Sequence, residues 1–512
     1  MKLILGCLTA FVVSYLVKGE EFVSHLPGYE KSLHSKWFSG YINVSIEEKS
    51  GVTLSYHYIL IESEGNPKED PLIVWSNGGP GASSLWGLFT EIGPLWLSSE
   101  SLKTEDYKRT GIPTLFRNEF AWTKLGNVLI LSGPPPVSFG YCDPPGPKGS
   151  GYDCGSWNDK TTAKANYEFL EKFLGVHPHY QNVDMFLTGE SYAGIYLPML
   201  ANEIMMKSRE TSLSRRVLKG MAVGDGCVGT DISCTLKKEP TVLQIMFNLK
   251  FLYGHGQVST KVYELVQQTC KNEFESRMTQ ASMQAFSRDR HSASHLLGAN
   301  HSLVSLSQEC QAALNSLHSQ VGFYFPYGLY DECWDDSNLP NSYWSPKSSF
   351  SRRRLLQDYP CGGGAALDQW INSRAVRDAL HIKPDSFFFS GDNAVGLDYE
   401  LTERNLLPVH KHFALGTDLR VLIYNGDTDP GLNSFLGEWW TSSLGLIEKE
   451  SWRPWTLDGK SKVVGYVTRY EGAFDYLTIR GSGHMVPQMK PAAAFEMLKQ
   501  WIDKKGWKKY TK

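Results

Sequence analysis

The 512-residue chain carries 51 Lys and Arg against 54 Asp and Glu, and its net charge of −3 lacks the basic excess of a nucleic-acid binder. With 41% hydrophobic residues, 47 glycines and 25 prolines it sits near the globular average, which excludes wholesale disorder and collagen-like repeats. The length suits about three domains, or one large α/β domain with an insertion.

The chain opens on Met1 and Lys2, an apolar run over 3–17, then Lys18 and Gly19. Charge and length order predict a secretory signal peptide over 1–19, since the run falls short of the roughly 20 residues that cross a bilayer. Its removal takes Cys7 and leaves eight of the nine cysteines, an even number suited to disulfides in an oxidising compartment. Two acceptor sequons, at Asn43 and Asn300, fit the same route. Residence in the secretory pathway, in a lysosome or vacuole or outside the cell, is expected.

Residues 55–61 and 72–75 read as strands, β-branched and aromatic between turn residues, and predict an antiparallel opening to the fold. Short apolar runs at 127–131 and 185–188 predict strands, while 161–174 and 192–206 have helical spacing. After Gly226 the character changes. Segments 243–253, 262–270 and 310–317 look helical around a polar stretch at 276–301, which predicts an inserted helical subdomain. Strand and helix alternate again through 368–380, 420–424, 463–470 and 474–479, and a helix over 491–501 closes the chain. The insertion thus interrupts one α/β unit.

The segment Phe186-Leu187-Thr188-Gly189-Glu190-Ser191-Tyr192-Ala193-Gly194 is an apolar strand, a tight turn on a serine, then a helix. Such a turn demands small residues two before and two after the serine; Gly189 and Ala193 supply them, Ala193 departing from the strict glycine of the nucleophile elbow. An elbow serine needs an acid and then a histidine further along the chain. The strand 421–424 runs into Asn425-Gly426-Asp427-Thr428-Asp429, and Gly481-Ser482-Gly483-His484 follows another strand. A histidine there takes the serine proton and returns it to the leaving amine, while an aspartate holds its ring. The tetrahedral oxyanion needs backbone donors. Trp75-Ser76-Asn77-Gly78-Gly79-Pro80-Gly81 ends an early strand, so the N–H groups of Gly79 and Tyr192 are the expected pair.

Taken together, these blocks resemble the serine carboxypeptidases, most closely their lysosomal branch. The resemblance covers nearly all of the chain after the leader. It runs through Leu26-Pro27-Gly28, Ser39-Gly40-Tyr41, Asn77-Gly78-Gly79-Pro80-Gly81, Glu91-Ile92-Gly93-Pro94, the elbow, Gly426-Asp427-Thr428-Asp429 and Gly483-His484-Met485-Val486-Pro487. It implies an α/β-hydrolase fold, a mixed sheet flanked by helices, with the catalytic domain in 20–226 and 362–512 and an inserted helical cap over 227–361. It implies Ser191 as nucleophile, Asp429 as the acid that orients the base, and His484 as base. It further implies that Asn77, the Gly78 backbone, Glu91 and Glu190 capture the free carboxylate of a peptide C-terminus. Two adjacent carboxyls cannot both ionise cheaply, so one keeps a proton at acid pH and can donate it. Without the resemblance, Glu91 would read as a surface acid at a helix end.

The implied activity is removal of single C-terminal residues at acid pH through an acyl-enzyme, on peptide or protein substrates, with no cofactor and no metal, and a homodimer as a candidate assembly. Some plant members of the family are acyltransferases that change the residue at the place of Asn77; the Asn here points to hydrolysis. His177, His179, His410 and His412 lack neighbouring ligands and read as surface features. Three departures from the family stand out. Ala82 occupies a usual cysteine, so Cys361 loses its expected partner; the 131–141 stretch lacks the family's acid and glycines; and Asp225 stands for a usual Asn. Cys142 with Cys154 and Cys227 with Cys234 are plausible local pairs, while Cys270, Cys310, Cys333 and Cys361 allow three connectivities.

Overall fold

The structure is a computed structural model that describes residues 21–144, 154–207, 217–234, 240–276, 306–322, 324–331 and 361–511. The leader, Asn300 and most of the 276–301 stretch lie outside them.

A 12-stranded mixed sheet forms the centre. Six parallel strands make its middle, in the order Asn127–Leu131, Leu72–Ser76, Met185–Glu190, Leu218–Gly224, Arg420–Gly426 and Phe474–Ile479. Thr53–Ile61 and Trp37–Val44 extend one side antiparallel, and Val463–Tyr470 and Glu448–Thr456 the other. Strands buried on both faces read as continuous apolar runs, which is why these short segments were legible in the sequence. Their side chains alternate between two cores. Val74, Leu187, Val223 and Ile423 enter one, with Phe173 and Leu200 from helices Asp159–Val176 and Ala193–Lys207. Trp75, Phe186, Ala222 and Leu422 enter the other, with Trp370 and Met497 from helices Gly363–Ile371 and Pro491–Ile502.

The expected strands and helices are present, with ends shifted by a few residues. The expected antiparallel opening is present, though its strands pair differently from the two the sequence marks. Residues 53–61 and 72–76 are not partners, because Asn127–Leu131 inserts between them, antiparallel to the first and parallel to the second. The antiparallel partner of 53–61 on its other side is Trp37–Val44, a strand whose glycine and serine weaken its sequence signal. Leu218–Gly224 was likewise not read as a strand. Residues 368–380 form two helices, Gly363–Ile371 and Arg374–Ala379. Between Leu218–Gly224 and Arg420–Gly426 stand the helices Val242–Gly254, Thr260–Thr269 and Gln308–Val321, the last two joined by the Cys270–Cys310 disulfide. Cys142–Cys154 and Cys227–Cys234 are bonded, and Cys361 is disulfide-bonded despite Ala82.

The reading of the histidines as surface features holds for His179, which is exposed, and is corrected for two others. His177 and His410 are buried, His177 bonded to the Tyr58 hydroxyl at 3.0 Å and His410 packed on Trp440. Desolvation pushes their pKa values down to about 4 and about 3, so both are neutral packing groups. No helix among the described residues is long and apolar enough to cross a membrane.

Candidate active site

Strand register decides what meets at the carboxyl edge of the sheet. Ser76 pairs with Gly189, Glu190 with Gly224, Gly224 with Tyr424, and Gly426 with Ile479. The residues that follow these strand ends, Asn77, Ser191, Asp225, Asp429 and His484, therefore gather in one place, where open α/β sheets bind ligands.

Ser191 sits at φ 63°, a left-handed conformation that non-glycine residues adopt rarely and at a cost of about 1–3 kcal/mol. Its neighbours must be small: a Cβ on Gly189 would lie 2.2 Å from the Ser76 carbonyl oxygen and 2.9 Å from the Ala193 Cβ. The helix Ala193–Lys207 starts directly after the turn. A Cβ on Gly78 would lie 2.2 Å from the Tyr192 nitrogen and 2.8 Å from the Ser191 Cβ, so the glycine turn closes directly over the elbow. Among the described residues the N–H groups of Gly79 and Tyr192 donate to no backbone acceptor, and both residues line the same cleft as Ser191.

The Nδ1 of His484 lies 2.7 Å from Asp429 Oδ2, and Asp429 Oδ1 accepts the Gly431 N–H at 2.8 Å. Asp427 is turned elsewhere, accepting the Gly481 N–H at 2.6 Å. His484 is buried, and its Nε2 has no hydrogen-bond partner while Nδ1 is engaged. Burial pushes its pKa down, but the Asp429 carboxylate outweighs that and the net shift is upward. Ser191, Tyr192, Gly79, Asp429 and His484 line one cleft of about 240 Å³.

Behind the elbow lie the two glutamates. Both are buried, Glu91 on the helical turn Leu88–Ile92 and Glu190 at the strand end. Burial corrects the surface-acid reading of Glu91. Asn77 Nδ2 donates to Glu190 Oε1 at 2.9 Å, while Asn77 Oδ1 accepts from Trp75 Nε1 at 2.7 Å and from the Gly87 N–H at 3.2 Å, which fixes the amide. The Oε2 atoms of both glutamates lack a donor among the described residues, and burial beside a second carboxyl favours a proton on at least one of the two. Desolvation pushes Glu91 up to about 7, and desolvation with the charge of Glu91 pushes Glu190 well above the usual carboxylate range.

Several cleft residues carried no signal in the sequence. Tyr327 packs its tilted ring 5.0 Å from that of His484, accepts the His484 backbone N–H on its carbonyl at 2.8 Å, and bonds through its hydroxyl to Asp392. Ser233, Gln244 and Asn393 also line the cleft. A lone tyrosine on a loop, or a glutamine in the first turn of helix Val242–Gly254, has no local pattern that marks a cleft, and only the chain's path brings these here. Asn43 is exposed on Trp37–Val44, its Oδ1 accepting from the Ser55 hydroxyl at 2.8 Å.

Residues 27–504 match the family model described as serine carboxypeptidase. The chain is 29% identical to serine carboxypeptidase-like 20 of Arabidopsis thaliana, over 96% of this chain and 95% of that protein. It is also 29% identical to the lysosomal protective protein of Mus musculus, over 95% and 94%. The crystal structure of a prohormone-processing carboxypeptidase from Saccharomyces cerevisiae superposes with a TM-score of 0.64 at 20% identity, covering 95% of this chain and 96% of that one, and shares the α/β-hydrolase fold. With a match that spans almost its whole length, the chain belongs to the serine carboxypeptidase family of hydrolases.

Proposed function

We propose that this protein removes single residues from peptide C-termini at acid pH through an acyl-enzyme, with Ser191 as nucleophile, His484 as general base and Asp429 as its orienting carboxylate. The observation that carries the reading is the buried Glu91 and Glu190 carboxyls beside Asn77, with Glu190 next to Ser191 in the chain and both pushed toward the protonated form by burial. A protonated carboxyl buried next to a nucleophile is a donor for a negatively charged ligand, and a peptide's terminal carboxylate is that ligand. The Asn77 side chain, fixed by Trp75 and Gly87, and the Gly78 backbone supply the rest of the carboxylate site.

Ser191 Oγ attacks the carbonyl of the last peptide bond and passes its proton to His484 Nε2. The N–H groups of Gly79 and Tyr192 receive the oxyanion. His484 returns the proton to the leaving amine, which departs as a free amino acid, and water then cleaves the acyl-enzyme by the same steps in reverse. Asp429 stabilises the imidazolium at Nδ1 throughout.

Digestion of a peptide library with mass readout of trimmed ends tests the reading: loss of one residue at a time from the C-terminus is expected, and internal cleavage would refute it. Intact Asn77 favours hydrolysis over acyl transfer, and an added alcohol that captures the acyl group more readily than water would reverse that choice. The same reading takes 1–19 as a signal peptide, 227–361 as a cap inserted into a catalytic domain of 20–226 and 362–512, Asn43 and Asn300 as glycan acceptors, and an acidic compartment of the secretory pathway as the working place.

A further inference from the structure

Asp225 is buried to completion at the end of strand Leu218–Gly224, held at φ 40° in a conformation rare for a residue with a side chain. Its N–H donates to the Tyr424 carbonyl at 2.8 Å. Its carboxylate oxygens accept from Asn425 Nδ2 at 3.0 Å and from the Gly426 N–H at 3.0 and 3.1 Å. The remaining neighbour is another acid: oxygen atoms of the Asp225 and Asp429 carboxyls and a ring nitrogen of His484 lie within 4.8 Å of one another.

Two carboxyls this close, both sealed from water, are costly to charge together, and a proton on one of them lets it donate to the other. The groups that face Asp225 decide where that proton sits. Asp429 and His484 approach from the two loops, Glu190 from the elbow strand, Tyr424 from the adjacent strand and Tyr476 from the strand beyond it. No Lys or Arg among the described residues bonds to it, and the single nearby base, His484, is already engaged by Asp429. Burial, and then the charge of Asp429, push the Asp225 pKa well up. An amide at this place would donate the same bond without titrating.

We propose that Asp225 is a positioning residue of the triad that works as a neutral acid, donating its proton in a hydrogen bond to Asp429 and so fixing the carboxylate that holds His484. The proposal rests on the triad reading above. Asp225 touches neither substrate nor the reacting atoms; it acts by holding Asp429 in line with Nδ1 while adding no second negative charge beside the imidazole.

The test uses the full chain and a fluorophosphonate that reacts with active serines, because its rate reads the triad without involving the carboxylate site at Glu91 and Glu190. Labelling of Ser191 is followed against pH for the wild type, Asp225→Asn and Asp225→Ala. With Asp225 neutral, the Asn variant should move the midpoint of the acid limb by less than about 0.3 pH unit, and should recover the roughly tenfold or greater rate loss expected in the Ala variant. An ionised Asp225 would instead hold the His484 pKa up, so that Asn would lower the midpoint by about two pH units at this separation. An infrared difference spectrum of wild type minus Asp225→Asn at pH 7 should show the C=O stretch of a protonated carboxylic acid, and this readout requires no turnover and no Ala variant that folds. A large fall of the midpoint, or the absence of that band, overturns the neutral acid. Equal rates for Ala and Asn overturn the positioning role. No labelling of wild-type Ser191 at any pH would remove the triad reading itself, an outcome distinct from labelling with a shifted profile.

Discussion

Replacing Glu91 by Gln should separate the reading of the C-terminus from the chemistry. In the wild type Glu91 is buried beside Glu190, its pKa pushed up to about 7, while that of Glu190 is pushed well above the usual carboxylate range. Below that pH the pair is neutral and can donate to a substrate carboxylate; above it one charge faces another. At about 4 Å and an effective dielectric constant of 20, two like charges cost about 4 kcal/mol, and losing a buried charged hydrogen bond costs about 2–5 kcal/mol. Linkage sets how this cost appears with pH. KM should be flat below about pH 6 and then rise about tenfold per pH unit above 7, reaching about thirtyfold at pH 8.5. That is roughly 2 kcal/mol, the low end of the same range. Gln at position 91 has no proton to lose, so the KM profile of Glu91→Gln should stay within about threefold across that range. The C-terminally amidated peptide should bind poorly at every pH, with no such rise. The assay is KM and kcat from pH 5 to 8.5 for one peptide and its amide on both proteins. Parallel rises in the wild type and the variant, or in acid and amide, would falsify the assignment of these carboxyls to the substrate C-terminus and reopen the endopeptidase and esterase readings.

The same burial links stability to pH. Glu91 has a folded pKa raised above its usual 4.5, so its contribution is complete below that value and is lost as pH rises through about 7, an effect on the order of 3 kcal/mol. Glu190 and Asp225 shift in the same direction. Thermal unfolding should therefore show a higher Tm at pH 5 than at pH 8, and a Tm that rises with pH over this window would contradict their burial as neutral acids. Ser191→Ala should abolish fluorophosphonate labelling and turnover with little change in Tm, since it removes one oxygen from a turn; retained activity would discard the nucleophile. Trp75→Phe removes a donor to Asn77 Oδ1 and should raise KM about tenfold with kcat little altered; an unchanged KM would mean that Gly87 alone suffices to fix the amide. Asp159 accepts from the hydroxyls of Tyr192 and Tyr399 and from the N–H groups of Thr402 and Glu403 at 2.6–2.9 Å. Asp159→Ala strands the buried Tyr192 hydroxyl and three part-buried donors, and chemical denaturation should show a loss of about 2–4 kcal/mol; a loss below about 1 kcal/mol would mean that water replaces Asp159.

Local spacing in the sequence was enough to determine much of this protein. Apolar runs buried on both faces marked five of the six parallel strands, because a strand covered on both sides has no polar face to confuse its pattern. The Gly-Glu-Ser-Tyr-Ala segment announced its turn, since only small residues fit where Gly189 meets Ser76, and the order Ser191, Asp429, His484 placed three candidate groups after the ends of three parallel strands. Strand order was not local. Asn127–Leu131 enters between two strands that precede it in the chain, a pairing set by which apolar faces complement one another across the sheet. Nor could spacing supply the charge states. Glu91 looks like any helix-end acid until Glu190 and Asn77 close over it, and Asp225 looks like a turn residue until Asp429 meets it. A carboxyl's proton affinity depends on what is desolvated together with it, and that is decided only when distant strands deliver their ends to the same edge of the sheet.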